Sequence, residues 1–245
     1  MEKNRNKILI AVIAYNEEKN IRKTLEDLLA NNIGYDIVVI DNGSSDGTAG
    51  VAQSMNIPVI SHCINSGNSM GTVMTYFMYA HKKNYEILCQ FDGDGQHIAA
   101  ELPKIVNPLL NNEADYVIGS RFLEKEGFQS FFFRRIGIKV FAWIDSKIIG
   151  HKVTDVTSGF RAYNTTIISF FSNHYKHEIQ DTNQLLLLSS FAGAKIKEVP
   201  VIMKERENGT SEFHSVNALL FPFKGLINIT GCLLQKQQIL KLTRK

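Results

Sequence analysis

Tyr85-Glu86-Ile87-Leu88-Cys89-Gln90-Phe91-Asp92-Gly93-Asp94-Gly95-Gln96-His97 joins an apolar run to two aspartates set two residues apart between glycines. The run reads as a buried strand and the residues after it as the loop at its carboxyl end. Two carboxylates so placed can face one hard cation and leave coordination positions for a phosphate. Asp-Gly pairs are also turn formers, so on spacing alone a solvated β-turn fits as well. An EF-hand loop beginning at Asp92 does not fit, because His97 stands where glycine is required and Pro103 where the bidentate glutamate is required. A dinucleotide fingerprint fails too, with Ile98 in the third glycine position.

Around this stretch, strand-like and helix-like segments alternate. Residues 7–14 read as a buried strand, 17–31 as a helix with Ile21, Leu25, Leu28 and Leu29 on one face, and 36–41 as a second strand. The turn Asn42-Gly43-Ser44-Ser45 leads to a helix that Asp46 can cap. A short strand at 57–61, a helix at 69–82, the strand at 85–92, a helix at 99–110 and a strand at 115–119 follow. Further on, strands are expected at 159–163 and 195–203, with a helix at 180–192 between them. The pattern predicts an α/β domain with a mostly parallel sheet flanked by helices on both faces. Ligands of such sheets sit at the carboxyl ends of strands, where Asp41 and Asp92 both fall.

A chain of 245 residues with 44% hydrophobic content can bury one sizeable core, and a net charge of +3 is too small to argue for nucleic acid. The cations are uneven, with Arg134, Arg135, Lys139, Lys147 and Lys152 in one segment and Lys236, Lys241, Arg244 and Lys245 at the end. In the first segment they recur with Phe128, Phe131, Phe132, Phe133, Trp143 and Ile144. That suits a helix at an anionic membrane interface, and equally a helix packed on the core with its cations in water. The end of the chain reads as an amphipathic helix for a membrane or a membrane partner. Cys63, Cys89 and Cys232 show no framework spacing and are expected to be reduced, cytoplasmic thiols. Lys3, Arg5 and Lys7 before an apolar stretch imitate a signal peptide, but the stretch runs straight into Tyr15-Asn16-Glu17-Glu18 and is read as a strand. No apolar run is long enough to predict a spanning helix.

Further stretches stand in fixed order around the Asp92 motif. They are Ala14-Tyr15-Asn16-Glu17-Glu18, Val38-Val39-Ile40-Asp41-Asn42-Gly43-Ser44-Ser45-Asp46-Gly47-Thr48, Ile118-Gly119-Ser120-Arg121-Phe122, Asp155-Val156-Thr157-Ser158-Gly159-Phe160-Arg161 and Glu198-Val199-Pro200-Val201. Over residues 7–212 the set resembles the family 2 glycosyltransferases of GT-A fold, in the branch of dolichol-phosphate mannose synthases and bacterial polyprenyl-phosphate sugar synthases. The resemblance implies a nucleotide-sugar donor whose base and ribose lie against Ala14, Tyr15, Glu17 and Asp41. It implies a divalent cation, Mg²⁺ or Mn²⁺, held by Asp92, Asp94 and Gln96 against the donor's phosphates, with Arg121 and Arg206 adding charge. A departing nucleoside diphosphate gains negative charge that a metal and guanidinium groups can stabilise. Two departures stand out, Asn42 where the family pairs two aspartates and Ser69 where it has glycine. The second creates a G-x-S-x-G match at Gly67-Asn68-Ser69-Met70-Gly71, but no strand leads directly into it, as a nucleophile elbow requires.

The resemblance also implies an inverting displacement at the sugar's anomeric carbon. A lipid-phosphate acceptor is already anionic and needs cations more than a base, with Arg134, Arg135 and Arg161 as candidates. A saccharide hydroxyl needs a carboxylate, and Asp181 is the candidate, although it can equally cap the helix that follows. Asp94, Arg121 and Asp181 are therefore the catalytic candidates. The aromatic and basic segment favours polyprenyl phosphate as acceptor, for cell-envelope glycan synthesis at the cytoplasmic face of the membrane. The expected organisation is a catalytic domain over 1–212, with an interfacial acceptor segment at 121–152, and a tail over 213–245. The tail would lie on the bilayer or dock to a small membrane protein or a second copy, and Met203 to Ser211 would close over the donor.

Overall fold

β1 (Ile8–Ala14) is buried at every position, as a strand without a polar side chain must be when helices cover both faces of its sheet. The computed structural model describes residues 7–31, 34–65, 69–124, 126–127, 132–174, 181–208 and 216–243, with side chains except at 69–70, 132–134, 216–224 and 243. After β1 come α1 (Glu18–Ala30), β2 (Asp36–Asp41), α2 (Thr48–Ser54), β3 (Val59–Ser61), α3 (Val73–Lys82), β4 (Ile87–Asp92), α4 (Leu102–Leu110) and β5 (Tyr116–Ser120). The second half holds α5 (Phe132–Ile149), β6 (Arg161–Asn164), α6 (Thr165–His174), α7 (Thr182–Phe191), β7 (Ile196–Pro200) and α8 (Val216–Thr243). The sheet runs β3-β2-β1-β4-β6-β5-β7, parallel throughout except at β6, which is antiparallel to both β4 and β5.

Alternation along β1 sorts the core into two layers. Leu9, Ala11 and Ile13 face the side that carries α3 and α5 to α8, while Ile8, Ile10, Val12 and Ala14 face α1, α2 and α4. The chain leaves β1 toward β2 on one side and returns to β4 on the other, so a crevice opens between them at the carboxyl edge. Register sets Ala14 opposite Asp41 and Ile13 opposite Asp92, which brings both sequence-predicted aspartates to that edge.

Residues 165–174, for which the sequence suggests no element, form α6. Asn164 starts it, accepting from Thr166 N and Ile167 N, and Phe171 stacks on Phe77 of α3 at 4.7 Å. Strand β7 ends at Pro200, short of the expected 203, and Met203 then pairs with His97 as an isolated bridge. α8 turns Ile229, Cys232 and Ile239 into the core. It approaches α5 so closely at Gly225 that a β-carbon there would stand 2.5 Å from the Phe141 ring. Its other side exposes Leu226, Ile227, Leu233, Leu234 and Leu242. Among the described residues no helix is long and apolar enough to cross a membrane.

Asp145 of α5 is wholly buried, and among the described residues neither of its carboxylate oxygens has a hydrogen-bond partner. Burial, with Asp181 nearby and Arg161 opposing, raises its pKa to about 7. A carboxyl held above its unfolded value contributes stability that is complete at low pH and declines as pH rises through 7. Asp145→Asn, which cannot ionise, is therefore expected to raise the unfolding free energy at pH 8 by about 2–4 kcal/mol, the linkage of a carboxyl raised from 3.8 to about 7, and to change it little at pH 3, below the unfolded value. Denaturant melts at the two pH values check this.

Candidate active site

The loops after β1 and β2 interlock. Ser45 N donates to Asn16 Oδ1 at 2.9 Å, Asn16 N to Ser44 Oγ at 2.9 Å, Glu17 N to Thr48 Oγ1 at 2.8 Å and Glu18 N to Asp46 Oδ2 at 3.1 Å. Asn16 takes a left-handed conformation (φ 53°), which asparagine tolerates better than most residues. The serines and threonine of the second motif therefore shape the first. Asp41 is nearly buried and accepts from both Ser44 N and Ser44 Oγ, and Asn42 N donates to Ala14 O at 2.9 Å. Tyr15 stands half-buried directly after Ala14. The sequence-predicted base and ribose residues are thus gathered along one edge. Gly67 and Asn68 of the G-x-S-x-G match lie outside the described residues, and β3 ends at Ser61 with no strand over the described residues 62–65.

Beyond β4 the backbone folds back under the carboxylates. Asp92 N donates to His97 Nδ1 at 3.0 Å, which leaves the His97 proton on Nε2, 3.5 Å from Asp92 Oδ2. Burial lowers the His97 pKa to about 4, and the neutral ring stacks on Phe160 at 4.7 Å. Asp94 Oδ1 accepts from Gln96 N at 3.0 Å, while the Gln96 side chain is directed to Lys204 O at 3.4 Å. Gly159 leaves room for the Asp92 carboxylate, since a β-carbon there would lie 2.5 Å from Asp92 Oδ2. His97 and Gly159 have no counterpart among the sequence-predicted site residues. Both lay inside motifs quoted from the sequence, but only the fold brings Gly159 to Asp92.

Burial raises the Asp92 pKa to about 6, against a Gln90 hydrogen bond and the charges of Arg121, Arg161 and Arg206. Asp94 is raised by burial and then by Asp92 itself. Burial also raises Glu17 to about 6, opposed by Asn20 and Arg206. Desolvated carboxylates in mutual repulsion are a place where added positive charge lowers the free energy. Arg206 already does this in part, with Nη2 2.6 Å from Glu17 Oε1 and Nη1 3.7 Å from Asp94 Oδ2. Its segment is tied down on both sides, by Lys23 to Glu207 at 2.6 Å and by Lys204 N to Gln96 O at 2.8 Å. The rest of the expected closing loop, Gly209 to Ser211, lies outside the described residues. The donor set fits a hard divalent cation held by two carboxylates with positions left for phosphate. Such a cation would supply charge neutralisation for a diphosphate.

Arg121 reaches this cleft from a fixed mount. Its Nε donates to Asp155 Oδ2 at 2.7 Å, and its Nη2 to Asp155 Oδ1 at 2.8 Å and Thr157 Oγ1 at 3.0 Å. Burial would raise the Asp155 carboxyl, but this forked pair holds it below the usual carboxylate range. Glu198 in turn accepts from Thr154 N and Asp155 N, pinning the loop to β7. Arg161, expected at the acceptor, is instead fully buried and donates to Ser158 O, Val156 O, Thr182 O and Tyr116 Oη. Its donors hold the 156–158 loop to the start of α7, so it offers no exposed cation. Asp181 caps α7 through Gln184 N at 2.8 Å and accepts from Asn228 Nδ2 of α8 at 2.6 Å. Arg135 is half-buried on α5, and the Arg134 side chain lies outside the described residues, as do Phe128 and Phe131.

An open sheet with one antiparallel strand, and an acidic cleft at the carboxyl ends of β1, β2 and β4, defines a GT-A-type α/β domain. The glucosyl-3-phosphoglycerate synthase of Mycobacterium tuberculosis, in a crystal structure with Mn²⁺, UDP and glucosyl-3-phosphoglycerate, superposes on this fold. The TM-score is 0.66 at 17% identity, covering 93% of this chain and 80% of that one. The family model described as "Glycosyl transferase family 2" matches residues 9–171, and the chain belongs to that family. It is a glycosyltransferase. Among its relatives, the UDP-N-acetylglucosamine–dolichyl-phosphate N-acetylglucosaminyltransferase of Methanococcus voltae is 27% identical over 214 residues, 79% of this chain and 84% of that one. The undecaprenyl-phosphate mannosyltransferase of Micrococcus luteus is 27% identical over 221 residues, 84% of this chain and 87% of that one.

Proposed function

We propose that the protein transfers a sugar from a UDP- or GDP-sugar to a polyprenyl phosphate, with inversion, at the cytoplasmic face of a membrane. The observation that carries this is the pairing of two surfaces. A cation-seeking carboxylate cleft at Asp92 and Asp94 lies on the same sheet edge as Arg121, and α5 beyond it exposes Ile136, Val140 and Trp143 among its cations. The relatives named for transfer to dolichyl and undecaprenyl phosphates support the same acceptor class. In this reading Asp92 and Asp94, with Gln96 turned from Lys204 O, hold Mg²⁺ or Mn²⁺. Glu17, Asp41 and the backbone at Ala14 and Tyr15 hold the nucleoside, and Arg121 and Arg206 face its phosphates. The acceptor phosphate is ionised near neutral pH and attacks without a base. α8 lies against the bilayer or a membrane partner through Leu226, Ile227 and Leu234.

The alternative, extension of a lipid-linked polysaccharide at a sugar hydroxyl, needs Asp181 as base. Both oxygens of Asp181 already accept hydrogen bonds, which favours the cap. Asparagine caps helices as well as aspartate does but cannot take a proton. Asp181→Asn is therefore expected to keep transfer of labelled sugar to undecaprenyl phosphate within about threefold of wild type, against the 10²–10⁴-fold typical of a lost general base. A loss on that scale, with saccharide acceptors labelled by the wild type, would reverse the choice.

A further inference from the structure

Arg206 reaches the carboxylate cleft from the strap that follows β7, and one face of α1 decides where it stands. Glu17, Asn20 and Lys23 lie at spacings of three, so they share that face at the amino end of the helix. Lys23 pairs with Glu207 and Glu17 with Arg206. Between them Asn20 is buried and uses every arm of its amide. Its Nδ2 donates to Glu17 Oε2 at 2.7 Å and to Asn208 O at 3.2 Å, and its Oδ1 accepts from Asn208 Nδ2 at 3.1 Å. Asn208 O also accepts from Arg206 Nε at 2.7 Å, so one carbonyl ties the guanidinium to the helix. One turn further on, Thr24 Oγ1 donates to Gly93 O at 3.2 Å and fastens the same helix to the loop between Asp92 and Asp94. Asparagine is a poorer helix former than alanine, and a buried amide costs free energy unless it is bonded, so α1 by itself gains nothing from Asn20.

We propose that Asn20 is a positioning residue for donor binding, clasping Asn208 so that the Arg206 guanidinium stands against Glu17 and Asp94, where the donor's diphosphate arrives. The proposal rests on the reading of Arg206 as facing the donor phosphates. Apart from Arg206 itself, the other ion pair from the strap to α1 among the described residues is Lys23 with Glu207. Its side chains are 64% and 60% exposed, and such a pair holds a segment weakly. A guanidinium already set in place loses less conformational freedom on meeting an anion than one on a loose strap.

Calorimetric binding of UDP and of GDP to the full chain, each with Mn²⁺, tests this apart from turnover. Arg206→Gln is expected to weaken the better-bound nucleotide about tenfold or more, the scale of a lost hydrogen bond to a charged group. Asn20→Ala is expected to weaken it about three- to tenfold, with Arg206 present but no longer held. Asn208→Ala removes an exposed side chain and one of the clasp's bonds, and should act in the same direction by less. In the Arg206→Gln background Asn20→Ala should weaken binding no further, since the clasp then has no guanidinium to place. A residue that only supported the fold would lower the melting temperature and weaken the nucleotide equally in both backgrounds, and that result overturns the proposal. So does an unaltered affinity in Asn20→Ala, or in Asn208→Ala should the first variant fail to fold. An unaltered affinity in Arg206→Gln overturns the phosphate-facing reading of Arg206 on which the clasp depends. A wild-type chain that binds neither nucleotide overturns the donor reading itself.

Discussion

Asp92→Asn and Asp94→Asn are each expected to slow sugar transfer by about 10²–10³-fold, the scale of one lost electrostatic stabiliser, while stability is unchanged or rises. The two effects separate because the carboxylates are poorly placed for folding alone. Burial raises both, and Asp94 is raised further by Asp92. A neutral amide of nearly the same shape removes the repulsion, keeps Asp92 N on His97 Nδ1 and keeps the room that Gly159 leaves. What it removes is the charge that would hold a cation against the donor's diphosphate. Such a split between activity and stability is the mark of a site strained for function. Initial rates at saturating donor, measured beside denaturant melts, report both quantities. Variants that keep activity within threefold would remove the carboxylate pair from the mechanism.

The largest stability effect is expected at Asp155. Asp155→Ala should cost about 3–5 kcal/mol, because it strands a buried guanidinium without its counter-charge. Arg121 donates to Asp155 through Nε, Nη2 and its own backbone N, at 2.7, 2.8 and 3.2 Å, and both side chains are almost excluded from water. Replacing both partners, Asp155→Leu with Arg121→Met, should recover much of the stability, since an apolar pair leaves no buried charge. It should not recover transfer, because the charge proposed to face the donor phosphates is gone. Chemical denaturation of the single and double variants measures the coupling. A loss near 1 kcal/mol or less for Asp155→Ala would mean that the pair behaves like an exposed one.

The strand-end chemistry was legible because it is local. Apolar runs of strand length, each followed within two residues by Asp or Asn, mark the carboxyl edges of β1, β2 and β4, where the register aligns Asp41 and Asp92 with β1. What sequence reasoning missed is set by long-range packing. Thr165-Thr166-Ile167-Ile168-Ser169-Phe170-Phe171 is rich in β-branched and aromatic residues and reads as no helix, yet α6 forms because Phe171 stacks on Phe77 and Asn164 supplies the cap. Arg161 reads as a candidate cation for the acceptor because arginine is seldom fully buried, and nothing nearby in sequence announces the Thr182 carbonyl and the Tyr116 hydroxyl it meets. Arg206 lies 189 residues from Glu17, and Arg121 lies 34 from Asp155. Pairing across such distances becomes visible only once β7 is laid beside β5.

A cation at Asp92 and Asp94 is proposed to drive transfer of sugar onto a lipid phosphate. This is tested most directly by stripping the full chain with a chelator and supplying labelled UDP- and GDP-sugars with undecaprenyl phosphate. The label extracted into organic solvent is then counted before and after Mg²⁺ or Mn²⁺ is restored. Organic-phase label is expected from one donor, and only after the cation is added. Label reaching the lipid without any cation, or reaching only a saccharide acceptor when the cation is present, would contradict it.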